Sequence, residues 1–275
     1  MPIITFHPVA AYRLFSVVGA AIMLLGMAAN VVAQTATALN TLNFVGDIDT
    51  SLPASGGTAY NSDDAIIDFS IATELSTSSN ELGTLGAAGI DGFHKTGDGC
   101  GDSVYSLDIT TLIAGTAMRP ADVFTAAGVK VLDASTAGVP DGVNINALSR
   151  DPSNCDLIIS IDTTALLSGS AFRADDLIRW NSSNGFSLFQ QTNFGANIDA
   201  VHYLSASRWL VSLEVSTQLP DLAGLDEQIF EIGPTFQLLA LDLRSIDNSW
   251  DAAGVNALWA LPQPLTESIF SDSFE

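Results

Sequence analysis

"LIISIDTTALLSGSAFRADDLIRW", residues 157–180, decides how this chain is read. Apart from Ser160, Leu157–Ile161 is apolar throughout, as in a strand covered on both faces. It runs straight into Asp162, and after a short loop a second strand opens on the acidic pair Asp175–Asp176. The same order recurs elsewhere. "SVYSLDITTLIAGTAMRPADVF" (103–124) and "LVSLEVSTQLPDLAGLDEQIFEI" (210–232) align with it. "LNFVGDIDTSLPASGGTAYNSDDAIIDF" (42–69) is a more divergent first copy. The aligned acids Asp108, Asp162 and Glu214 lie 54 and 52 residues apart, and Asp49 precedes Asp108 by 59. Self-similarity at such a period marks a repeat architecture.

A further element precedes each later copy: "GIDGFHK" (89–95), "NINALSR" (144–150), "NIDAVHY" (197–203) and "GVNALWA" (254–260). Each unit then reads as four short strands, for example "IDAVHYL", "RWLVSLEV", "EQIFEI" and "FQLLALDL". Lengths of five to eight, β-branched and aromatic enrichment and Gly/Asn/Ser/Pro punctuation all favour strands. "RWNSSNGFSLF" (179–189), with Asn184–Gly185, reads as a hairpin. Helical periodicity is weak, and only "RPADVFTAAGVKVLDA" (119–134) offers a helical turn.

Four-stranded units of this length suit propeller blades. The last first-strand element, Val255–Leu261, has no second strand after it, and Leu42–Asp49 has no first strand before it. Pairing the two completes a blade and removes the open edge. The expected fold is therefore all-β, a four-bladed β-propeller closed by its N- and C-terminal strands. A β-sandwich pair and an open β-solenoid are the alternatives.

In such a meander the ends of second strands, the starts of third strands and the starts of first strands share one face. Acids occupy those places. Second strands end at Asp47/Asp49, Asp108, Asp162 and Glu214, and third strands begin at Asp63–Asp64, Asp122, Asp175–Asp176 and Asp226–Glu227. First strands begin at Asp91, Asn146, Asp199 and Asn256, which predicts an Asp/Asn ring at the mouth of the axis. Two roles compete for these side chains. Asp and Asn start turns by accepting backbone N–H groups. Oxygen-rich sites also bind Ca²⁺, and the metal-ligand candidates are Asp91, Asp199, Asp162, Asp175, Asp176, Asp108 and Asp122. No EF-hand loop or nonapeptide calcium repeat is present.

The N-terminal segment has the order of a secretory signal. A short stretch carrying Arg13 precedes the apolar run "LFSVVGAAIMLLGMAA", and small residues at Val31 and Ala33 follow. Residues 1–33 are expected to be cleaved, with Ala38 as the alternative site, leaving a β-repeat domain at 34–262 and a flexible tail at 263–275 beyond Pro262. Eight basic residues against 31 acidic ones then give a net charge of −23. That surface repels nucleic acid and anionic lipid. No second stretch of spanning length follows the signal. Export to the periplasm or beyond favours a disulfide between the two cysteines, Cys100 and Cys155, which fall in register just before second strands at the opposite face.

Signatures of common enzymes (GxSxG, HExxH, the P-loop, the dinucleotide fingerprint) are absent. His94 and His202 each lie three residues after a strand-opening Asp, in alternate units, and are expected to be partly exposed without a catalytic role. A glycan-directed hydrolase would need a carboxylate pair and exposed aromatics. Trp180 and Trp250 are candidates for the latter, while Trp209 and Trp259 sit in strands as core.

"SIDTTALLSG…ADDLIRW" resembles secreted bacterial repeat proteins with an "SFD…LPG…DEDIVRF"-like pattern, over residues 42–261. The tail "SIFSDSFE" (268–275) resembles the "IFADGFE"-type C-terminus of exported gammaproteobacterial proteins, with Ser273 where that tail carries Gly. The resemblance implies export and β repeats. The expected function is an exported, acidic, monomeric binding or structural module for an extracellular or cell-envelope protein or glycan, stabilised by Ca²⁺. The competing expectation is a secreted hydrolase working at the acidic face.

Overall fold

The computed structural model describes residues 39–46, 50–51, 59–60, 66–70, 75–79, 81–83, 85, 87–219, 223–245 and 254–262. The signal-like segment, the tail, Asp47, Asp49, Asp63, Asp64 and Trp250 lie outside them. The first blade holds β1 (Leu39–Gly46), a small hairpin of β2 (Thr50–Ser51) and β3 (Ala59–Tyr60), β4 (Ile66–Ser70) and β5 (Leu75–Ser79). The second holds β6 (Ile90–His94), β7 (Val104–Leu107), the hairpin β8 (Thr111–Ile113) and β9 (Thr116–Met118), β10 (Val123–Thr125) and β11 (Lys130–Leu132). A one-turn helix α1 (Ala134–Ala137) follows. The third holds β12 (Ile145–Arg150), β13 (Leu157–Ile161), the hairpin β14 (Ala165–Leu167) and β15 (Ser170–Phe172), β16 (Asp176–Asn181) and β17 (Gly185–Gln191). The fourth holds β18 (Ile198–Ser205), β19 (Arg208–Leu213), the hairpin β20 (Thr217–Gln218) and β21 (Ala223–Gly224), β22 (Gln228–Gly233) and β23 (Phe236–Asp242). Last comes β24 (Val255–Pro262), which returns to the first blade in the order β24-β1-β4-β5.

Every sheet is antiparallel, and β24 against β1 closes the ring, with Leu258 opposite Phe44. The fold is a four-bladed β-propeller, closed as the unmatched terminal elements require. Strands β6, β12, β18 and β24 are innermost; each touches its neighbours, and diagonally opposite ones also meet across the axis.

The buried run at 157–161 follows from this packing. All five residues of β13 are buried. Leu157, Ile159 and Ile161 join a cluster with Val104, Val123 and Leu132 of the second blade. Ile158 points the other way, into a cluster with Val201, Trp209 and Phe230 of the fourth. Two further clusters fill the remaining blade junctions. The core thus lies between sheets, so a mid-blade strand has no solvent face and shows no polar alternation.

Two local expectations are corrected. The loop between second and third strands is a hairpin in each blade. In β8–β9 and β14–β15 the turn residues Ala114–Gly115 and Ser168–Gly169 have φ of 48 and 82°, and 48 and 81°. Paired positive φ values give the turn whose twist suits a tight hairpin. Most of "RPADVFTAAGVKVLDA" forms β10 and β11, and helix appears only at its end. There the Asp133 side chain accepts from the N–H of Ser135 and Thr136, and Gly138 closes the turn in the left-handed region.

Candidate functional site

The acids after the second strands tie strand ends together. Asp108 Oδ1 accepts from Gly89 N at 2.7 Å, and its own N–H donates to Gly89 O. Asp162 does the same with Asn144, at 2.9 Å, and the Asn197 side chain donates to Glu214 Oε2 at 2.5 Å. Each bond continues the ladder one step beyond the strands, joining the exit of the second strand to the start of the first.

The acids opening the third strands close a tight local turn. Asp122 Oδ2 accepts from Arg119 N and Asp176 Oδ2 from Arg173 N, both at 2.8 Å. Gln228 Oε1 accepts from Leu225 N in the fourth blade. Asp122 is fully buried, also accepts from Ala134 N at 2.8 Å, and has Lys130 Nζ at 2.7 Å. Asp175 pairs with Arg173 and accepts from Gly195 N. Burial works against its carboxylate, but the guanidinium and the N–H outweigh it and hold its pKa below the ordinary value.

At the axial mouth the four inner strands share one irregularity. The ladders step from Ile90 to Gly92, Ile145 to Ala147, Ile198 to Ala200 and Val255 to Ala257, skipping one residue each time. The skipped residues are Asp91, Asn146, Asp199 and Asn256. Each blade therefore carries a β-bulge at the expected ring position, a device that re-aims a side chain. Asp91, Asp199 and Asn256 stay partly accessible among buried neighbours, and Asn146 is itself buried. Asn144 links the ring to the strand-end bonds, since its side chain donates to Asp91 Oδ2 while its N–H donates to Asp162.

Deeper along the axis the register position of His94 is held by Ser149, His202 and Trp259. The two histidines are buried, against expectation, because the inner strands approach closely enough to shut the channel. Their rings stack with centroids 6.2 Å apart, and Trp259 meets His202 edge-on at 5.9 Å. His94 Nε2 bonds Asp98 Oδ2 at 2.7 Å, and its Nδ1 accepts from Arg150 N. Burial lowers the His94 pKa although Asp98 opposes it. Burial, with His94 beside it, pulls His202 down to about 3, so the pair is neutral at ordinary pH. The signal in sequence was the strand position, two residues after Gly92 and after Ala200, rather than any motif.

The opposite face holds the disulfide. Cys100, between β6 and β7, bonds Cys155, between β12 and β13, with Cα atoms 5.3 Å apart. Arg150 donates to the Cys100 carbonyl, and Arg179 bridges Asp151 and Asp156 at 3.0 and 3.1 Å. The disulfide and the Arg150 bond join the second and third blades, while Arg179 braces the β12–β13 loop within the third, all at the end away from the strand-end acids. Trp209 and Trp259 are buried, as their strand positions implied, and Trp180 packs partly buried against the core.

Of the proposed metal ligands, the structure brings Asp108 and Asp162 to one open cleft of about 470 Å³ between the second and third blades. Asp175 lines a second cleft, of about 410 Å³, between the third and fourth. Asp122 and Asp176 lie buried at strand starts, and Asp91 and Asp199 belong to the axial ring. Among the described residues no three His, Cys, Asp or Glu side chains gather as a metal-ligand group. Sequence reasoning missed Arg119 and Arg173, which line the two clefts; their equal place in the repeat was the available signal.

No family model matches the chain, and no curated protein does. Among solved structures it is similar to a protein of unknown function from Bacteroides caccae, with a TM-score of 0.33 and 10% sequence identity. That similarity covers 74% of this chain and 72% of that one, and at this level it carries no weight for function.

Proposed function

We propose that this protein is an exported β-propeller binding module whose ligand meets the acidic face around the axis. The observation that carries this is the set of four register-matched bulges. A bulge breaks ladder bonds, and a fold that needed only closure would gain nothing by repeating one at the same place in every blade. At that place stand Asp91, Asp199 and Asn256, partly accessible, and the buried Asn146, at the mouth of an axis otherwise filled with side chains. Export is supported by the Cys100–Cys155 bond, which an oxidising compartment permits, and by the signal-like order of residues 1–33. No helix among the described residues is long and apolar enough to cross a membrane.

The test is amide-shift mapping on the full chain, produced by an export route so that the disulfide forms. Divalent cations, basic peptides and neutral glycans are titrated in turn. Saturable shifts at Asp91, Asn146, Asp199 or the adjoining strand ends are expected with at least one class. Shifts confined to the disulfide face would overturn the proposal. So would cleavage of a glycan that an Asp162→Asn or Asp108→Asn change abolishes, since that would make the face catalytic.

A further inference from the structure

The two clefts on the acidic face are the same cleft repeated. One is lined by Thr110, Arg119 and Asn144, the other by Thr164, Arg173 and Asn197. The paired positions lie 54, 54 and 53 residues apart, which is the repeat spacing. Each cleft joins the hairpin and third-strand start of one blade to the lead-in of the next inner strand. That lead-in turns on a glycine in the left-handed region in both, Gly142 at φ 85° and Gly195 at φ 71°.

Each cleft also pairs its arginine with an aspartate, and the two aspartates come from different repeat positions. Arg119 Nη2 meets Asp141 Oδ1 at 2.5 Å, from the loop before β12. Arg173 Nε meets Asp175 Oδ1 at 2.8 Å, from the start of β16. In the second blade the Asp175 position is Ala121. The guanidinium–carboxylate pair is thus present in both clefts although its acid has moved along the chain. Strand-end bonding does not require this, because the Arg119 and Arg173 backbones alone serve Asp122 and Asp176. In the fourth blade Leu225 takes the arginine's place, yet Leu225 N still donates to Gln228.

We infer that the two blade-junction clefts are matched subsites for neutral polyhydroxyl ligands, the sugar units of a glycan. This rests on the acidic face being the binding face. A guanidinium beside a carboxylate offers donors and acceptors side by side. A vicinal diol answers both, since each hydroxyl donates and accepts. The cleft volumes fall in the range used for small ligands. The arginine already has a counter-charge, so it does not call for an anion, and the acidic surface repels one. In the second cleft Arg173 and Asp175 balance; in the first, Asp141 balances Arg119, and the two further acids, Asp108 and Asp162, are engaged by the backbone N–H groups of Gly89 and Asn144. Two subsites one blade apart would engage two units of one glycan chain and bind it with avidity.

The experiment titrates the full chain with glucose, mannose, galactose and fucose, with a homopolymer of whichever sugar responds, and with CaCl₂ and lysine amide. Amide shifts are read at Gly142 and Asn144 for one cleft and at Gly195 and Asn197 for the other. Saturable shifts in both clefts with one sugar are expected. Arg119→Gln should weaken the first cleft about tenfold or more and leave the second unchanged, and Arg173→Gln the reverse. The untouched cleft reports that each variant is folded. The homopolymer should bind more tightly than its monomer, and either substitution should remove that gain. Shifts at the acidic face with CaCl₂ or lysine amide, and none with any sugar, would overturn the polyol inference and leave the binding face standing. Sugar shifts that ignore both arginines would overturn it as well. Silence from every probe would remove both proposals.

Discussion

Asp122→Ala is the sharpest test of the idea that these acids hold the blades together. The Asp122 side chain is fully buried and accepts from two backbone donors, Arg119 N and Ala134 N, each at 2.8 Å. Alanine leaves both N–H groups without that acceptor, at about 1–3 kcal/mol each. It also removes the partner of Lys130, which is 22% exposed and regains water, so that contribution is small. The sum is about 2–6 kcal/mol, with the upper end set by how little water can enter. For a domain of this size each kcal/mol moves the midpoint by about 2–4 °C, so Tm should fall by about 4–24 °C. Asp122→Asn keeps one acceptor oxygen and should recover roughly half. The fourth blade shows the same compromise: Gln228 accepts from Leu225 N and gives its amide to Asp242. Asp141→Ala is the control, because that side chain is 96% exposed and its ion pair should contribute below about 1 kcal/mol. Calorimetry on the three variants decides. An Asp122→Ala protein that melts within about 2 °C of the parent would refute the structural role.

Stability should fall on acidification through the buried histidines. His202 has a folded pKa of about 3 against an ordinary 6.5. Below pH 6.5 the unfolded chain binds a proton that the folded ring refuses, so stability is full above that value and is lost as pH drops toward 3, by about 2 kcal/mol at pH 5. Urea midpoints between pH 5 and 8 read this, and His202→Phe should flatten the slope; an unchanged slope would sink the assignment. Opening the disulfide with Cys100→Ser/Cys155→Ser frees a loop of 55 residues, which the chain-entropy model values at about 4 kcal/mol. Denaturant midpoints of oxidised and variant protein should differ accordingly, and equal midpoints would show that the Arg150 bond to the Cys100 carbonyl suffices to join the two blades there. Gly92→Ala should cost about 1–3 kcal/mol, because the added Cβ would sit 2.7 Å from both Leu148 Cβ and Ser106 Oγ. An unchanged midpoint would overturn this and would mean that Leu148 and Ser106 yield to the methyl group, as the other blades accommodate alanine at positions 147, 200 and 257.

Blade number and ring closure were legible because both are consequences of repetition. Four copies with unmatched ends admit few arrangements, and the pairing of β1 with β24 is the one expected. The inserted hairpins were not legible. Their strands are two or three residues long, too short for any period to show, and the turn at Ser168–Gly169 uses a serine at positive φ. The placement of the acids was readable from strand direction alone. What each one bonds was not, since a strand-end Asp reads the same whether it accepts an N–H or awaits a ligand. The histidines failed for a different reason. Exposure was inferred from residue type, whereas inner-strand spacing at Gly92, Ala147, Ala200 and Ala257 draws the backbones together and buries whatever lies beside them.

The excess of acid over base follows from the same geometry. Every blade needs acceptors where the second strand ends and the third begins, and the meander puts both on one face. A carboxylate that accepts a backbone N–H there, as Asp108, Asp122, Asp162 and Asp176 do, is anchored by the fold itself, and Asp122 adds Lys130 to its backbone donors. Acid therefore accumulates with each repeat while base does not. It follows that acidity on this face does not mark a ligand site. A site shows where the repeat departs from that economy. An arginine is spent at 119 and again at 173, and in each case an aspartate is supplied to it from whichever position the local loop allows. Replacing Arg119 and Arg173 together should therefore leave the Asp122 and Asp176 turns closed, because those turns use only the backbone N–H, and should alter Tm by less than Asp122→Ala does. A double variant that melted as early as Asp122→Ala would make the arginines part of the capping chemistry and take away the reason to look for a ligand beside them.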